Sequence, residues 1–417
     1  MKQIYASLEF SENEIRLLVG EYFNTRFNVI KLERVPCEGL TNCRITDHDK
    51  VKEALQRVLE NTSKMLGAKV EQVILLIPSI NMKRYPLKVT LPTKHGYLSK
   101  EDIAYALSQT MKTPVDDDVT IINASIIRYI VNGISYRRLP EKEVCEEFAV
   151  DIDLLCADKK IAFEYAMLLD ECELKIMDVC LDSYAIGKEA ALFERTLNRN
   201  LILLNINDTS TVLSLLSKGK LISCETIFEG LNGMAAAVVE KYGLPYSTAK
   251  RLIKYNTSYN GEYRDDAVYV WNKNGKENYS INEKDLSECI ETKLNEYIDK
   301  IAIMSEPILK SGPTSIIVTG NGASMQSLLQ QIQKKLDISV KPYFPDTIGV
   351  RDSALTALYG AFFAYRDIAL LKGEEKSSVD LYELENVISN KSDDAEAETL
   401  TSKIRGLFEM SKRKEEE

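Results

Sequence analysis

Leu400, Ile404, Leu407 and Phe408 fall on one face of a helix drawn through the last eighteen residues of the chain. Lys403, Arg405, Lys412, Arg413 and Lys414 flank that face or lie opposite it. Apolar side chains backed by cations lie flat on anionic lipid. Residues 400–417 therefore read as an amphipathic membrane-targeting helix, with Leu400, Lys403, Ile404, Arg405, Leu407 and Phe408 as its contact residues. A helix docked on the protein body, or a solvated charged tail, is the competing reading. Half-burying four apolar side chains gives roughly 1 kcal/mol each, less the cost of ordering the helix. Each cation in contact adds about 1 kcal/mol. One tail would bind weakly and reversibly, whereas several tails on one polymer would bind firmly through effective concentration.

Few other residues offer chemistry of their own. His48 and His95 are the only histidines, so a zinc site or a histidine-based triad is not expected. Eight scattered cysteines form no Cys-x-x-Cys pair, which fits reduced thiols in a cytosolic protein. With 45% hydrophobic and 28% charged residues, the composition is that of a globular protein with ample core. A net charge of −10 leaves no basic footprint for nucleic acid. No apolar run looks long enough to span a bilayer, and no signal peptide is visible.

The elements that must position these groups follow from periodicity. Residues 3–9 and 15–21 read as strands joined by a turn at 11–14, with a third strand over 27–32. A helix over 49–66 buries Val51, Leu55, Val58 and Leu59, and Gly67 suits the position after its end. The continuous apolar run 72–77 reads as a strand covered on both faces. Residues 82–157 read as an inserted α+β unit, with Ser99 and Asp102 as a helix cap. From residue 200 the opening pattern returns, with strands over 201–206, 211–216 and 220–227. The echo predicts two related lobes. Helices over 233–242, 247–255 and 285–309, a hairpin at 268–281, a buried strand over 315–319 and a last helix over 353–369 follow. The acidic, Ser/Asn-rich stretch 373–399 reads as a disordered linker.

Two strand–turn–strand lobes with a glycine-bearing strand-to-helix turn at Gly320 describe the α/β, two-lobed actin-like fold. Within that fold, the insertion and the tail make the chain resemble the bacterial FtsA family. Cys37-Glu-Gly-Leu40, Arg128-Tyr-Ile-Val-Asn-Gly133, Val318-Thr-Gly320 and Ala354-Leu-Thr-Ala-Leu-Tyr-Gly360 are similar to family stretches in order and spacing. The resemblance implies this division: 1–81 and 158–199 as the first lobe, 82–157 as an SHS2-like insertion, and 200–345 as the second lobe. Its smaller subdomain lies at about 228–310; 346–372 closes the first lobe, 373–399 is the linker and 400–417 the tail. It further implies a peripheral protein on the cytoplasmic face of the membrane at the division site. There it would tether FtsZ filaments, associate with itself and meet other division proteins. FtsZ would bind the smaller subdomain, where Lys250 and Arg251 are exposed-charge candidates. A PilM-like assembly module and an active actin-like ATPase are the alternatives; a sugar kinase of this fold would need a catalytic aspartate and intact phosphate turns.

The resemblance also implies a nucleotide cleft, whose degenerate residues here would be Glu9, Ser11, Ser210, Gly320 and Gly322. The family's first phosphate turn is similar to Asp-Ile-Gly-Thr/Ser-Ser-Lys, where this chain has Glu9-Phe10-Ser11-Glu12-Asn13-Glu14. Its other phosphate turn is similar to Asp-Ile-Gly-Gly-Gly-Thr-x-Asp, where this chain has Asn205-Ile206-Asn207-Asp208-Thr209-Ser210-Thr211-Val212. Lys250 stands close to the position of a family glutamate. A carboxylate about 4 Å from a phosphate oxygen repels it by about 1 kcal/mol in water and about 4 kcal/mol at an effective dielectric of 20. Glu12, Glu14 and Asp208 are thus expected to oppose a triphosphate. The expected cofactor is none, with ATP and magnesium as the alternative and no catalytic residue or metal ligand assigned.

Overall fold

The computed structural model describes residues 3–23, 26–259, 263–273, 277–347 and 351–384. The tail residues Leu400, Lys403, Ile404, Arg405, Leu407 and Phe408 lie outside them, as do 385–399 of the expected linker.

The first lobe opens with the antiparallel meander β1 (Gln3–Phe10), β2 (Glu14–Phe23) and β3 (Arg26–Pro36). A two-residue ribbon, β4 (Leu40–Thr41) and β5 (Arg44–Ile45), leads to α1 (His48–Leu66). Asp47 caps this helix by accepting from the N–H of Lys50, and Gly67 ends it with φ 76°. Strand β6 (Gln72–Ile77) then runs parallel to β1. The insertion follows as β7 (Lys83–Pro92), α2 (Lys100–Thr110), β8 (Val119–Val131), β9 (Ile134–Tyr136) and β10 (Glu147–Asp158), with sheet order β7-β10-β8-β9. Ser99 and Asp102 form the expected capping box, and Ile103 and Leu107 pack into one cluster with Phe148, Val150 and Ile152. Helix α3 (Lys159–Glu171) returns the chain to β11 (Lys175–Leu181), parallel to β6, before α4 (Asp182–Glu189) and the single turn α5 (Leu192–Arg195).

The second lobe repeats the plan. Strands β12 (Asn200–Ile206), β13 (Thr211–Ser217) and β14 (Lys220–Ile227) form its meander. Helices α6 (Asn232–Tyr242) and α7 (Tyr246–Tyr255), the hairpin β15 (Ala267–Lys273) with β16 (Glu277–Asn282), and the long α8 (Glu283–Leu309) make its smaller part. Strand β17 (Thr314–Thr319) lies parallel to β12, and α9 (Gln326–Leu336) and β18 (Val340–Pro342) complete the lobe. The two five-stranded sheets share one topology, β3-β2-β1-β6-β11 and β14-β13-β12-β17-β18. Each has a hairpin on one side of its first strand and parallel strands on the other, so the sequence echo extends to the whole sheet.

Helix α10 (Thr356–Lys372) crosses back onto β1 and α4 of the first lobe. Gly360 makes that crossing possible, because a Cβ there would stand 1.8 Å from the carbonyl oxygen of Ala185. Contrary to the sequence reading, Ser353–Lys372 is long and apolar enough to cross a membrane by length and composition. With 67% of that window buried inside the protein, it is a core helix.

Several boundaries differ from the sequence reading, and β3 runs four residues past the expected end, to Pro36. Gly320 opens a 3-10 turn, Asn321–Ser324, and α9 starts only at Gln326. A second short turn, Ser353–Leu355, precedes α10. The stretch from Gly373 reads as linker in the sequence, yet its first part packs into the first lobe. There the N–H of Ser378 donates to Ile4 O at 2.7 Å, and its hydroxyl accepts from the N–H of Ala6 at 2.8 Å. Val379 bridges to Val70, and Val379 and Leu384 are buried. Serines that look like linker composition instead satisfy backbone groups beside the start of β1.

Candidate functional site

The two meander turns, β1–β2 and β12–β13, face each other across the cleft between the lobes. The first closes through the N–H of Ser11 donating to Glu14 O at 3.0 Å, and Glu9 pairs with Arg16 in the strand register. Arg16 interrupts the apolar run of β2 and is buried. Its Nε meets Glu14 at 2.5 Å, and one terminal nitrogen meets Glu9 at 3.0 Å and the carbonyl of Ala354 at 2.8 Å. From β3, Arg34 adds two contacts to Glu14, at 2.6 and 3.1 Å, and one to Asp352 at 3.3 Å. Burial pushes both carboxyls up. Two guanidiniums outweigh it at Glu14, which lies below the usual carboxylate range. At Glu9, which has only Arg16, burial wins and the carboxyl is raised.

The second turn closes through the N–H of Asn207 donating to Ser210 O at 2.9 Å. Its carbonyls are tied to the start of α6: Leu231 N–H donates to Asn207 O at 3.1 Å and Asn232 N–H to Asp208 O at 2.8 Å. Gly230 allows this approach, since a Cβ there would stand 2.2 Å from Asn207 O. The turn's donors are occupied from the other lobe. One Glu12 oxygen accepts from the N–H groups of Asp208, at 2.9 Å, and Thr209, at 2.8 Å. Its other oxygen accepts from the hydroxyl of Ser210 at 2.7 Å. Asp208 sends its own carboxylate the opposite way, to the ammonium of Lys250 and to Asn321 Nδ2 at 3.0 Å.

Beside this contact lies a cavity of about 320 Å³, lined by Glu12, Glu14, Arg34, Asp208, Lys250 and Asn321 among others. A smaller one of about 40 Å³ lies deeper, between Glu9, Ser11, Asp182, Asn205 and Ser210. Thus Glu9, Ser11 and Ser210 do converge at the cleft. Gly320 and Gly322 serve packing: a Cβ on either would stand 2.4 Å from Ile206 O or 2.6 Å from Ile206 Cγ2. Asn321 between them is the residue that reaches the larger cavity.

Lys250, read from sequence as an exposed charge of the smaller subdomain, points into the cleft and pairs with Asp208, whereas Arg251 is exposed as expected. Arg16, Arg34 and Asp182 escape the sequence reading. Asp182 accepts from the N–H groups of Ser79, at 3.0 Å, and Ser183, at 2.5 Å, and from both their hydroxyls, while burial pushes its carboxyl up. The signals that could find two of them are a charge inside an apolar strand (Arg16) and an acid at a strand-to-helix junction (Asp182). Both residue types demand partners when buried.

No protein-family model matches the chain. Among curated proteins it is similar to the cell division protein FtsA of Bacillus subtilis, at 24% identity over 84% of this chain and 80% of the relative. The FtsA of Staphylococcus epidermidis is 21% identical over 83% and 75%. Among solved structures it is similar to a type IV pilus biogenesis complex of PilM and PilN, with TM-score 0.57 and 13% identity over 87% of this chain and 98% of the other. MreB5 of Spiroplasma citri bound to ADP gives TM-score 0.53 and 11% identity over 89% and 98%. The structural likenesses carry the actin-like fold and the sequence relatives carry the kinship: the chain is a divergent homologue of the FtsA proteins, built on the actin-like fold.

Proposed function

We propose that this chain is an FtsA-like cell-division protein that tethers FtsZ filaments to the inner face of the cytoplasmic membrane, using its actin-like body as a scaffold with weak or lost ATP hydrolysis. The division role rests on the kinship with FtsA. The tethering rests on the basic amphipathic pattern of residues 400–417. The contact that carries the scaffold half is Glu12, whose carboxylate is seated on the backbone N–H groups of Asp208 and Thr209.

Several further contacts support that half. The residues present do not fit a triphosphate with magnesium, because a phosphate placed on the second turn meets Glu12. The carboxylates that could hold a metal, Glu9, Glu14 and Asp208, are each paired with a cation of the protein. FtsZ, further copies of this chain, other division proteins and anionic lipid are the partners of this reading.

Liposome co-sedimentation tests the tether: the full chain should pellet with anionic vesicles and a chain ending at Thr399 should not. Equal pelleting discards it. A magnesium-dependent thermal shift with ATP would discard the scaffold half.

A further inference from the structure

Consecutive backbone N–H groups on a tight turn form a concave donor site for a small oxyanion. On the β12–β13 turn that site is built and occupied. The N–H groups of Asp208 and Thr209 and the hydroxyl of Ser210 converge on the carboxylate of Glu12, within 2.7 to 2.9 Å. Both sides of the contact are braced. The turn carrying Glu12 is held by Ser11 N–H on Glu14 O, at 3.0 Å, and by Cys37 N–H on Asn13 O, at 2.8 Å. The turn that receives it is held through its carbonyls by Leu231 and Asn232. Asp208 and Ser210 are both buried, so these donors need an acceptor. The one carboxylate that could compete from within the turn, on Asp208, is drawn away by Lys250 and Asn321.

We propose that the second turn is an intact oxyanion site occupied by the chain's own Glu12, an internal ligand that latches the two lobes together in place of a phosphate group. This rests on the reading of the cleft as a scaffold and names what regulates it. Lobe closure then needs no nucleotide, because the anion that bridges the turns is covalently part of the first lobe. Withdrawing the carboxylate leaves three converging donors, opening onto the adjacent cavity of about 320 Å³ that Arg251 and Lys254 also line. The chemistry such a site takes is a phosphate-type oxyanion, free or at the end of a nucleotide.

The test uses the full chain and inorganic phosphate followed by calorimetry, with magnesium-free ATP titrated in parallel to separate the two sources. The unaltered protein should bind neither. Glu12→Ala should bind phosphate at least about tenfold more tightly than the unaltered protein, and Ser210→Ala added to it should cut that affinity about tenfold. Heat from ATP but not from phosphate would place the binding elsewhere in the cavity and overturn the proposal.

Amide hydrogen exchange supplies a second readout in folded protein. The amides of Asp208 and Thr209 should exchange at least about tenfold faster in Glu12→Ala, and phosphate should slow them again. Equal rates with and without Glu12 overturn the latch. If Glu12→Ala does not fold, Glu12→Gln takes its place in the exchange measurement: its amide oxygen still accepts from the turn but carries no charge, so the two amides should exchange faster than in the unaltered protein, and equal rates overturn the latch. Vesicle pelleting reads only the tail, so failure of the latch and failure of the tether give separate signals.

Discussion

Glu9, Glu12 and Glu14 stand around the β1–β2 turn, and two of them are settled inside their own lobe by Arg16 and Arg34. The β12–β13 turn carries one acid, Asp208, and its backbone donors are filled from the opposite lobe by Glu12. The two turns have the same place in two sheets of the same topology. They differ in where the balancing charge comes from. The first is a buried ion cluster local to its strands, where loss of one partner strands a charge. The second is a set of neutral donors around a carboxylate that comes from the other lobe. A cleft with the geometry of a ligand site can thus be held together by side chains of its own walls.

The largest test of that contrast is Arg16→Met. It removes a guanidinium whose side chain is 5% exposed from contact with Glu9 and Glu14. Arg34 remains on Glu14, and Glu9 is left without a cation. The expected loss is about 3–5 kcal/mol in chemical denaturation. A loss below about 1 kcal/mol would mean the first turn is as forgiving as a surface ion pair.

Gly320→Ala comes next and asks whether the turn after β17 needs its glycine for packing alone. Its φ of 76° with ψ of −164° is a region open only to glycine, and the new Cβ would stand 2.4 Å from Ile206 O. Roughly 2–3 kcal/mol of stability should be lost with no ligand present. An unchanged melting curve would refute the packing role.

Glu189 sharpens the contrast from the other direction, because among the described residues no cation is paired with it as Arg16 and Arg34 are with Glu14. It ends α4 where the Tyr343 hydroxyl reaches its backbone carbonyl at 3.2 Å and its carboxyl Oε1 at 3.4 Å, and burial, with Asp346 adding to it, raises the carboxyl from 4.5 to about 7 against that second contact. The folded state therefore holds this proton more tightly than the unfolded chain. Its contribution favours folding at low pH and is lost as pH rises from about 4.5 through about 7. Glu189→Gln should flatten that slope and raise stability at pH 8 by about 1–3 kcal/mol. Asp178, raised to about 6 by burial, should leave the variant a residual slope of the same sign at lower pH. A variant that keeps the full slope up to neutral pH would acquit Glu189.

Local pattern carried the fold because each element's signal lies within its own residues. The repeat of β1–β2–β3 in β12–β13–β14, the buried run of β6 from Val73 to Ile77 and the Ser99 capping box are all readable from period and cap chemistry. The site was readable only as a set of positions. Glu12 has the sequence signature of a phosphate repellent because its partners lie 196 to 198 residues away, and a turn's sequence does not announce whose carboxylate will sit on its amides. The same reasoning misplaces Lys250: its helix face is legible, but the acid it answers, Asp208, belongs to a turn 42 residues earlier. Ser377 and Ser378 give the opposite error, since hydroxyls that bind a strand's backbone have the composition of a loop.

Lys250→Met is the smallest expected effect and the closest probe of the second turn. The lysine side chain is 30% exposed and its partner Asp208 7%. Water already screens one end of the pair, and Asn321 still donates to the other carboxylate oxygen at 3.0 Å. The loss should be about 1 kcal/mol in denaturation. The proposed binding to FtsZ filaments should be unchanged, because the ammonium faces the cleft. The freed Asp208 carboxylate lies near Glu12, and mutual repulsion should speed exchange of the Asp208 and Thr209 amides by about threefold to tenfold. A stability loss as large as that of Arg16→Met would show that the second turn also depends on a buried ion pair in its own lobe, and the difference between the two turns would disappear.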